Sequence, residues 1–225
     1  MGITQSGDDQ WRPDLFDRSP VAAITSISDG AVLLRRHALA DEAHLLEDLD
    51  EVVATSRFRH MVTPGGFVMS VAMTNCGTLG WVSDKRGYRY DPVDPQTQRP
   101  WPPMPASFRR LATAAADSAG FAGFEPDACL INRYEPGSKL SLHQDRDERD
   151  FSAPIVSVSL GLPANFLFGG DRRPDKTIRI PLEHGDVVVW GGPARMRYHG
   201  VSPVKAGEHP TLGSCRVNLT FRKAG

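Results

Sequence analysis

The chain has 225 residues, 40% hydrophobic and 24% charged, with a formal net charge of −1, a size that buries a core without disulfide or metal staples. No apolar run approaches the roughly 20 residues of a membrane span, and the near-zero charge excludes a protein that coats nucleic acid through one broad basic face, though not one that grips a few nucleotides. The polar, acidic stretch from Met1 to Asp17 lacks the features of a signal peptide, and Cys76, Cys129 and Cys215 form no CxxC pair, so they read as reduced thiols of a cytoplasmic protein.

Residues 1–20 read as a flexible leader broken by Pro13 and Pro20, ahead of one domain over 21–225. A short strand is predicted over Ala31 to Arg36. A helix follows from an N-cap at Asp41 to about Ser56, with Leu45, Leu46, Leu49, Val52 and Val53 at helical spacing. Residues 61–104 change character. Pro64-Gly65-Gly66 is a turn, Phe67 to Met73 a strand, and Trp81 and Gly87-Tyr88-Arg89-Tyr90 follow before prolines crowd the stretch from Pro92 to Pro105. A loop-rich segment with exposed aromatics is expected to form a lid or binding surface. A second helix is predicted from Ala106 to Ala119, with Pro105 at its start, Gly120 at its end, and Phe108, Leu111 and Ala115 on one face.

From Ala128 to Phe221 the pattern is short strands and turns. The strands are predicted at 129–134, 155–160, 165–168, 177–182, 186–190, 197–199 and 215–221. The fold class is therefore mainly β within α+β: a sandwich or barrel with two helices packed on one outer face.

His143-Gln144-Asp145 follows a strand and the Gly137 turn. Alternate side chains of an extended backbone share a face, so an imidazole and a carboxylate two residues apart can converge on one ion. A third ligand has to come from elsewhere, and His199, after the Gly191-Gly192-Pro193 turn, is the best candidate. Two histidines and one carboxylate on one face of a metal leave three positions open, the donor set of non-haem Fe(II) centres that activate oxygen. An HxD triplet alone is weak evidence. His37, His44, His60, His184 and His209 read as surface groups, and by itself His199 reads as one more. Asp145-Arg146-Asp147 has a rival reading as a Mn2+ site of a nucleotide-sugar transferase. That reading predicts a parallel sheet alternating with helices, and the C-terminal half shows no helical pattern.

The last strand adds a second signal. Arg216, Asn218, Thr220 and Arg222 fall on one face, and Val217, Leu219 and Phe221 on the other. Two arginines on the inner face of a barrel call for an anion, and arginine suits bidentate carboxylate recognition. A dicarboxylate that also chelates iron satisfies both, and 2-oxoglutarate has that shape. Arg222, near the end of the sequence, also admits a solvent-snorkelling reading.

These residues carry a resemblance to the AlkB alkylation-repair dioxygenases. The pattern His143-x-Asp145…His199…Arg216-x-Asn218-x3-Arg222 matches the family signature. So do the flanks Met61 to Gly66, Met69 to Gly77, Asp127 to Tyr134, Lys139 to Asp145, Ile155 to Pro163, Glu183 to Gly192 and Asn218 to Arg222. The resemblance implies a double-stranded β-helix (jelly-roll) core over 128–222 and a nucleotide-recognition lid over 61–104. It implies Fe(II) on His143, Asp145 and His199, with 2-oxoglutarate and O2 as cosubstrates. Arg216 would pair with the distal carboxylate of 2-oxoglutarate and Arg222 hold the end near the metal, with Asn132, Tyr134 and Asn218 also in contact and Trp190 beside the metal site.

On the substrate side it implies Trp81 as a base-stacking residue opposite His143 and Tyr88 against the substrate backbone. Thr63, Met69 and Ser70 would lie over the pocket, Asp147 on the exocyclic amine, and Arg173 nearby. The implied reaction is oxidative demethylation of N-alkylated bases such as 1-methyladenine and 3-methylcytosine in single- or double-stranded DNA and in RNA. Formaldehyde and succinate are released, and the enzyme acts as a monomer away from any membrane. Trp81 and Tyr88 also admit a core-packing reading, and Asp147 a solvated one. Phe67 stands where the family pattern has a tyrosine, and Arg146 where it has a lysine. A hydroxylase of the same chemistry acting on a protein, lipid or small molecule, and a non-catalytic jelly-roll, are the alternatives. The aromatic segment and the complete ligand set weigh against them.

Overall fold

A computed structural model describes residues 23–225, and the leader expected over 1–20 lies outside the described residues. In chain order the elements are β1 (Ile24–Ser28), β2 (Ala31–Leu34), α1 (Glu42–Thr55), β3 (Arg59–Val62), β4 (Val68–Gly77), β5 (Gly80–Asp84), β6 (Gly87–Asp91), α2 (Ala106–Ser118), β7 (Ala128–Tyr134), β8 (Leu140–His143), β9 (Ile155–Gly161), β10 (Ala164–Phe168), β11 (Ile178–Leu182), β12 (Val187–Trp190), β13 (His199–Val201) and β14 (Arg216–Arg222). Eight strands form a major sheet in the order β1-β2-β12-β9-β14-β7-β4-β3, four form a minor sheet in the order β11-β10-β13-β8, and β5-β6 stand apart as a hairpin.

The central strands are buried on both faces because both faces are covered, and the face of β9, β12 and β14 toward the helices is apolar. Val156, Val158 and Leu160 of β9, Val187 and Val189 of β12, and Val217, Leu219 and Phe221 of β14 pack against Leu45, Leu49 and Val52 of α1 and Phe108, Leu111 and Ala115 of α2. The alternate residues Ile155, Val188 and Trp190 face the other way. They share a second core with Leu130, Tyr134, Phe166, Phe168, Ile180 and Val201, between the sheets. This is the sandwich with helices outside that the strand pattern predicts, in the jelly-roll form that the resemblance implies. No helix among the described residues is long and apolar enough to cross a membrane.

The boundaries differ from expectation in instructive places. The β-core is not confined to 128–222, because β4 pairs with β7 from Ala72↔Arg133 to Gly77↔Ala128 and β3 pairs with β4. Much of the 61–104 segment is therefore sheet, and the part that stands clear is the β5–β6 hairpin. The predicted strand from Phe67 continues to Gly77 because its buried polar residues find partners. Thr74 Oγ1 donates to Ser56 O at 2.8 Å, and the Asn75 amide exchanges two hydrogen bonds with the backbone of Trp81 at 3.0 Å. The strand predicted over 197–199 begins only at His199, because Arg197 N donates to Ala194 O at 3.0 Å and closes the preceding turn. Asp41 stands at the N-cap of α1, yet its side chain caps nothing, since a 3-10 turn at Leu39–Asp41 leads into the helix. The aromatics of 61–104 divide, with Phe67 and Tyr88 exposed and Trp101 buried.

Phe108 of α2 meets Phe221 of β14 edge-on at 6.0 Å and is fully buried. Phe108→Ala is expected to destabilise the metal-free protein by about 3–5 kcal/mol in chemical denaturation, as a buried Phe-to-Ala change does where the core cannot collapse. A loss under about 1 kcal/mol would mean that helix packing does not support the sheet there.

Candidate metal centre and active-site cleft

His143 ends β8 and His199 begins β13, and the two residues are direct cross-strand partners. Cross-strand partners project from the same face of a sheet, and their ring centroids lie 4.4 Å apart. Asp145 follows two residues beyond His143. Ligand atoms of the three residues all lie within 4.8 Å of one another. His143 Nδ1 sits 2.9 Å from Ser141 O, and His199 Nδ1 2.9 Å from Arg197 O. A carbonyl only accepts, so each Nδ1 carries the hydrogen and each Nε2 keeps its lone pair. Those lone pairs point inward, His143 Nε2 at 3.5 Å from Asp145 Oδ1 and His199 Nε2 at 3.7 Å from Asp145 Oδ2.

The charges suit a cation. Burial, reinforced by His143, pushes the His199 pKa down to about 4, so the ring is neutral near pH 7. Burial alone would raise the Asp145 carboxyl. The Arg222 guanidinium, with the two histidines, outweighs burial and holds it well below the usual carboxylate range. Two imidazoles and one carboxylate, aimed at one point with each Nδ1 tied back to a carbonyl, fit Fe(II).

Behind this triad the cleft, about 630 Å³, runs down to the polar face of β14. Arg216 is 1% exposed. Its Nη2 donates to Ser159 Oγ at 3.0 Å, while Nε and Nη1 have no partner. A buried guanidinium with unused donors is costly unless an anion completes it, so the residues present fit a dicarboxylate cosubstrate. Asn132, the cross-strand partner of Asn218, has an unpartnered buried Oδ1, and Tyr134, the partner of Arg216, is buried with its hydroxyl pushed up to about 12. Arg222 differs from the expectation. Its Nε and Nη2 donate to Asp145 Oδ2 at 2.9 and 2.6 Å, and Nε also meets Glu148 Oε1 at 3.2 Å. The Asn218 amide is likewise occupied, by Ser157 Oγ, Val158 O and Thr220 Oγ1. Unpartnered donors therefore single out Arg216, while Arg222 lines the same cleft already bonded to the two acids.

At the mouth, Trp81 of β5 donates from Nε1 to Asp147 Oδ2 at 2.8 Å and stacks on Tyr88 of β6, centroids 5.6 Å apart and planes 13° off parallel. Tyr88 thus backs the indole. Thr63 Oγ1 accepts from Phe67 N and shapes the turn that leaves Phe67 exposed, and Ser70 is stitched to the backbone of Lys139. Met69 and Arg173 line the same cleft, and Trp190 meets the His199 ring at 4.9 Å. All the residues predicted for the site line this one cleft.

Some residues were missed. Ser157 and Ser159 recur at period two within an apolar strand, a pattern that flags a polar inner face. Glu148 and Arg195 gave no signal. They lie in or near charged loops that read as solvated, yet both are buried.

The family model described as the 2OG-Fe(II) oxygenase superfamily matches residues 30–222. The chain belongs to this superfamily. It is an Fe(II)- and 2-oxoglutarate-dependent dioxygenase with a His-Asp-His metal site. It is 61% identical over 199 residues to the alpha-ketoglutarate-dependent dioxygenase AlkB of Escherichia coli, covering 88% of this chain and 92% of that one. It is 31% identical over 232 residues to the DNA N(6)-methyladenine demethylase ALKBH1C of Arabidopsis thaliana, covering 88% of this chain and 49% of that one. The solved structure of OsALKBH1 superposes with a TM-score of 0.79 at 30% identity, over 89% of this oxygenase and all of that chain.

The depressed His199 sets a pH dependence. Its folded pKa of about 4 lies below the ordinary 6.5, so between these values the unfolded chain binds the extra proton. Stability of the metal-free protein is full above about pH 6.5 and falls toward pH 4 by up to about 1.4 kcal/mol per unit. Asp145 acts in the same direction at lower pH. Denaturation curves across this window should show the slope in the wild type and a flatter one in His199→Gln. Equal slopes would show that His199 titrates normally.

Proposed function

We propose that this oxygenase removes alkyl groups, methyl foremost, from the pairing-edge nitrogens of nucleobases in DNA and RNA, as in 1-methyladenine and 3-methylcytosine. 2-Oxoglutarate and O2 are converted to succinate and CO2, one oxygen atom hydroxylates the alkyl carbon, and a hydroxymethyl group then leaves as formaldehyde with its proton returned to the base nitrogen. The observation that carries this reading is the aromatic mouth. A cleft that ends on the triad opens beneath an indole held flat by Asp147 and Tyr88. A flat, rigid aromatic face is a platform for a base, and stacking there is worth on the order of 1–3 kcal/mol. The similarity to a demethylase of methyladenine points the same way.

Fe(II) held by His143, Asp145 and His199 supplies activation of O2, coupled to oxidative decarboxylation of 2-oxoglutarate. The protein's own groups position the reactants. His143 and His199 keep their protons on Nδ1 and offer Nε2, while Asp145 stays charged. Arg216 takes the distal carboxylate, with Asn132, Tyr134 and Asn218 around it and Arg222 steadying Asp145. Trp190 and Phe166 wall the site against water. The base leaves its stack to reach the ion, a step made easier because an alkylated pairing edge pairs poorly. Trp81 and His143 enclose it, Asp147 Oδ1 reaches its exocyclic amine, and Tyr88, Arg173, Thr63, Met69 and Ser70 border the strand. We assign the β5–β6 hairpin as the recognition lid. All these groups lie in one chain, so we take the acting unit to be a monomer. The free thiols of Cys76, Cys129 and Cys215 suit the cytoplasm.

Incubation with a 1-methyladenine oligonucleotide, Fe(II), 2-oxoglutarate and ascorbate should release formaldehyde and remove the mass of one methylene from the strand. Succinate formed with the strand unchanged would sink the nucleobase reading and leave the oxygenase intact. Trp81→Ala should weaken binding of the methylated single strand by the stacking term, on the order of 1–3 kcal/mol. Unchanged affinity would remove the indole from the site.

A further inference from the structure

The loop that carries Asp145 contains a second buried carboxylate for which the proposed reaction has no direct use. Glu148 is 6% exposed, and three side chains converge on it. Tyr90 of β6 donates its hydroxyl to Oε1 at 2.7 Å. Arg222 Nε reaches the same oxygen at 3.2 Å. Arg195 Nη2 donates to Oε2 at 3.1 Å. Each arginine also holds Asp145. Arg222 grips its Oδ2, and Arg195 Nη1 donates to its backbone carbonyl at 2.8 Å, with Nε fixed on Ala153 O. Arg195, Glu148, Arg222 and Asp145 thus alternate in charge, with Arg222 bonded to both carboxylates and Arg195 to the Glu148 carboxylate and the Asp145 backbone.

From this geometry we infer that Glu148 is a positioning residue for the metal carboxylate. It holds Arg222 and Arg195 in the places from which they aim Asp145 Oδ1 at the ion, and through Tyr90 it ties the recognition hairpin to the same loop. The inference rests on reading His143, Asp145 and His199 as a divalent-metal site.

Arg222 has three donor contacts to two acids, and with Glu148 neutral its whole charge falls on Asp145. The guanidinium is then free to slide across both carboxylate oxygens, including the one the ion needs. Arg195 loses its acid in the same change, leaving a buried cation with two carbonyls and the Phe151 ring but no counter-charge of its own. The hairpin, meanwhile, reaches this loop through two hydrogen bonds, Trp81 to Asp147 and Tyr90 to Glu148. Only the second ends on a buried charge, so it is the stronger tether.

The test is a Co(II) titration of metal-free protein, followed by visible absorption of the bound ion, beside thermal melting of the same samples without metal. Glu148→Gln should bind Co(II) about 10- to 100-fold more weakly than wild type and show an altered cobalt spectrum, because Oδ1 no longer points at the ion. Tyr90→Phe keeps both acids and both arginines. It should bind Co(II) as wild type does and hold a methylated single strand more weakly. Should Glu148→Gln not fold, Arg195→Lys replaces it: the charge is kept, the fork between Asp145 O and Glu148 is lost, and Co(II) binding should weaken likewise. A folded Glu148→Gln or Arg195→Lys with wild-type Co(II) affinity and spectrum, even at a lower melting temperature, overturns the inference. A wild type that takes up no Co(II) overturns the metal-site reading instead, so the two failures are distinct.

Discussion

The carboxylate of Asp145 is buried, charged and aimed, and the rest of the site follows from keeping it so. Burial by itself would protonate it, and a neutral acid is a poor metal ligand. Arg222 prevents that, but Arg222 is itself a buried cation. A lone arginine carboxylate pair in a dry interior barely offsets its desolvation. Glu148 and Arg195 extend the pair into an alternating cluster. This cluster closes on the backbone of the metal loop and on Tyr90. Histidine orientation is simpler, since register across β8 and β13 faces the rings together and carbonyls fix their tautomers.

The jelly-roll makes such a cluster possible by being thick on one side only. Helices cover the outer face of the major sheet, so β9, β12 and β14 spend one face on aliphatic packing and keep the other for the cleft. On that inner face Ser157, Ser159, Asn132, Asn218 and Arg216 stand in cross-strand register. Most of their polar atoms satisfy one another. The Nε and Nη1 of Arg216 and the Oδ1 of Asn132 are left for a ligand to complete.

How much of this was legible in the sequence depended on the range of the interaction. Alternation along residues 155–160 and 216–222 marked strands, because one face packs on the helices and the other carries the polar groups of the cleft, a period-two pattern that is local. His143 and Asp145 were legible because two-residue spacing is local as well. His199 could be nominated but not secured, since its partnership with His143 is a matter of register between distant strands. Residues 144–150 were opaque. Asp145 and Glu148 are buried there, while Arg146, Asp147 and Arg149 are exposed, and no periodicity separates them. What separates them is Arg195 and Arg222, 47 and 77 residues away in sequence from the acids they bond. The reach of β4 to Gly77 was hidden for the same reason: Thr74 and Asn75 look like turn residues until Ser56 and Trp81 are known to satisfy them.

The central claim is that the triad and Arg216 together hold a metal-chelating dicarboxylate. Calorimetric titration of 2-oxoglutarate into Mn(II)-loaded protein tests it without requiring turnover. The account predicts binding to the loaded wild type, loss of that binding when the metal is removed, and affinity about 10- to 100-fold weaker in Arg216→Gln, since a buried hydrogen bond to a charged group is worth about 1.5–3 kcal/mol. Equal affinity of wild type and Arg216→Gln would contradict it.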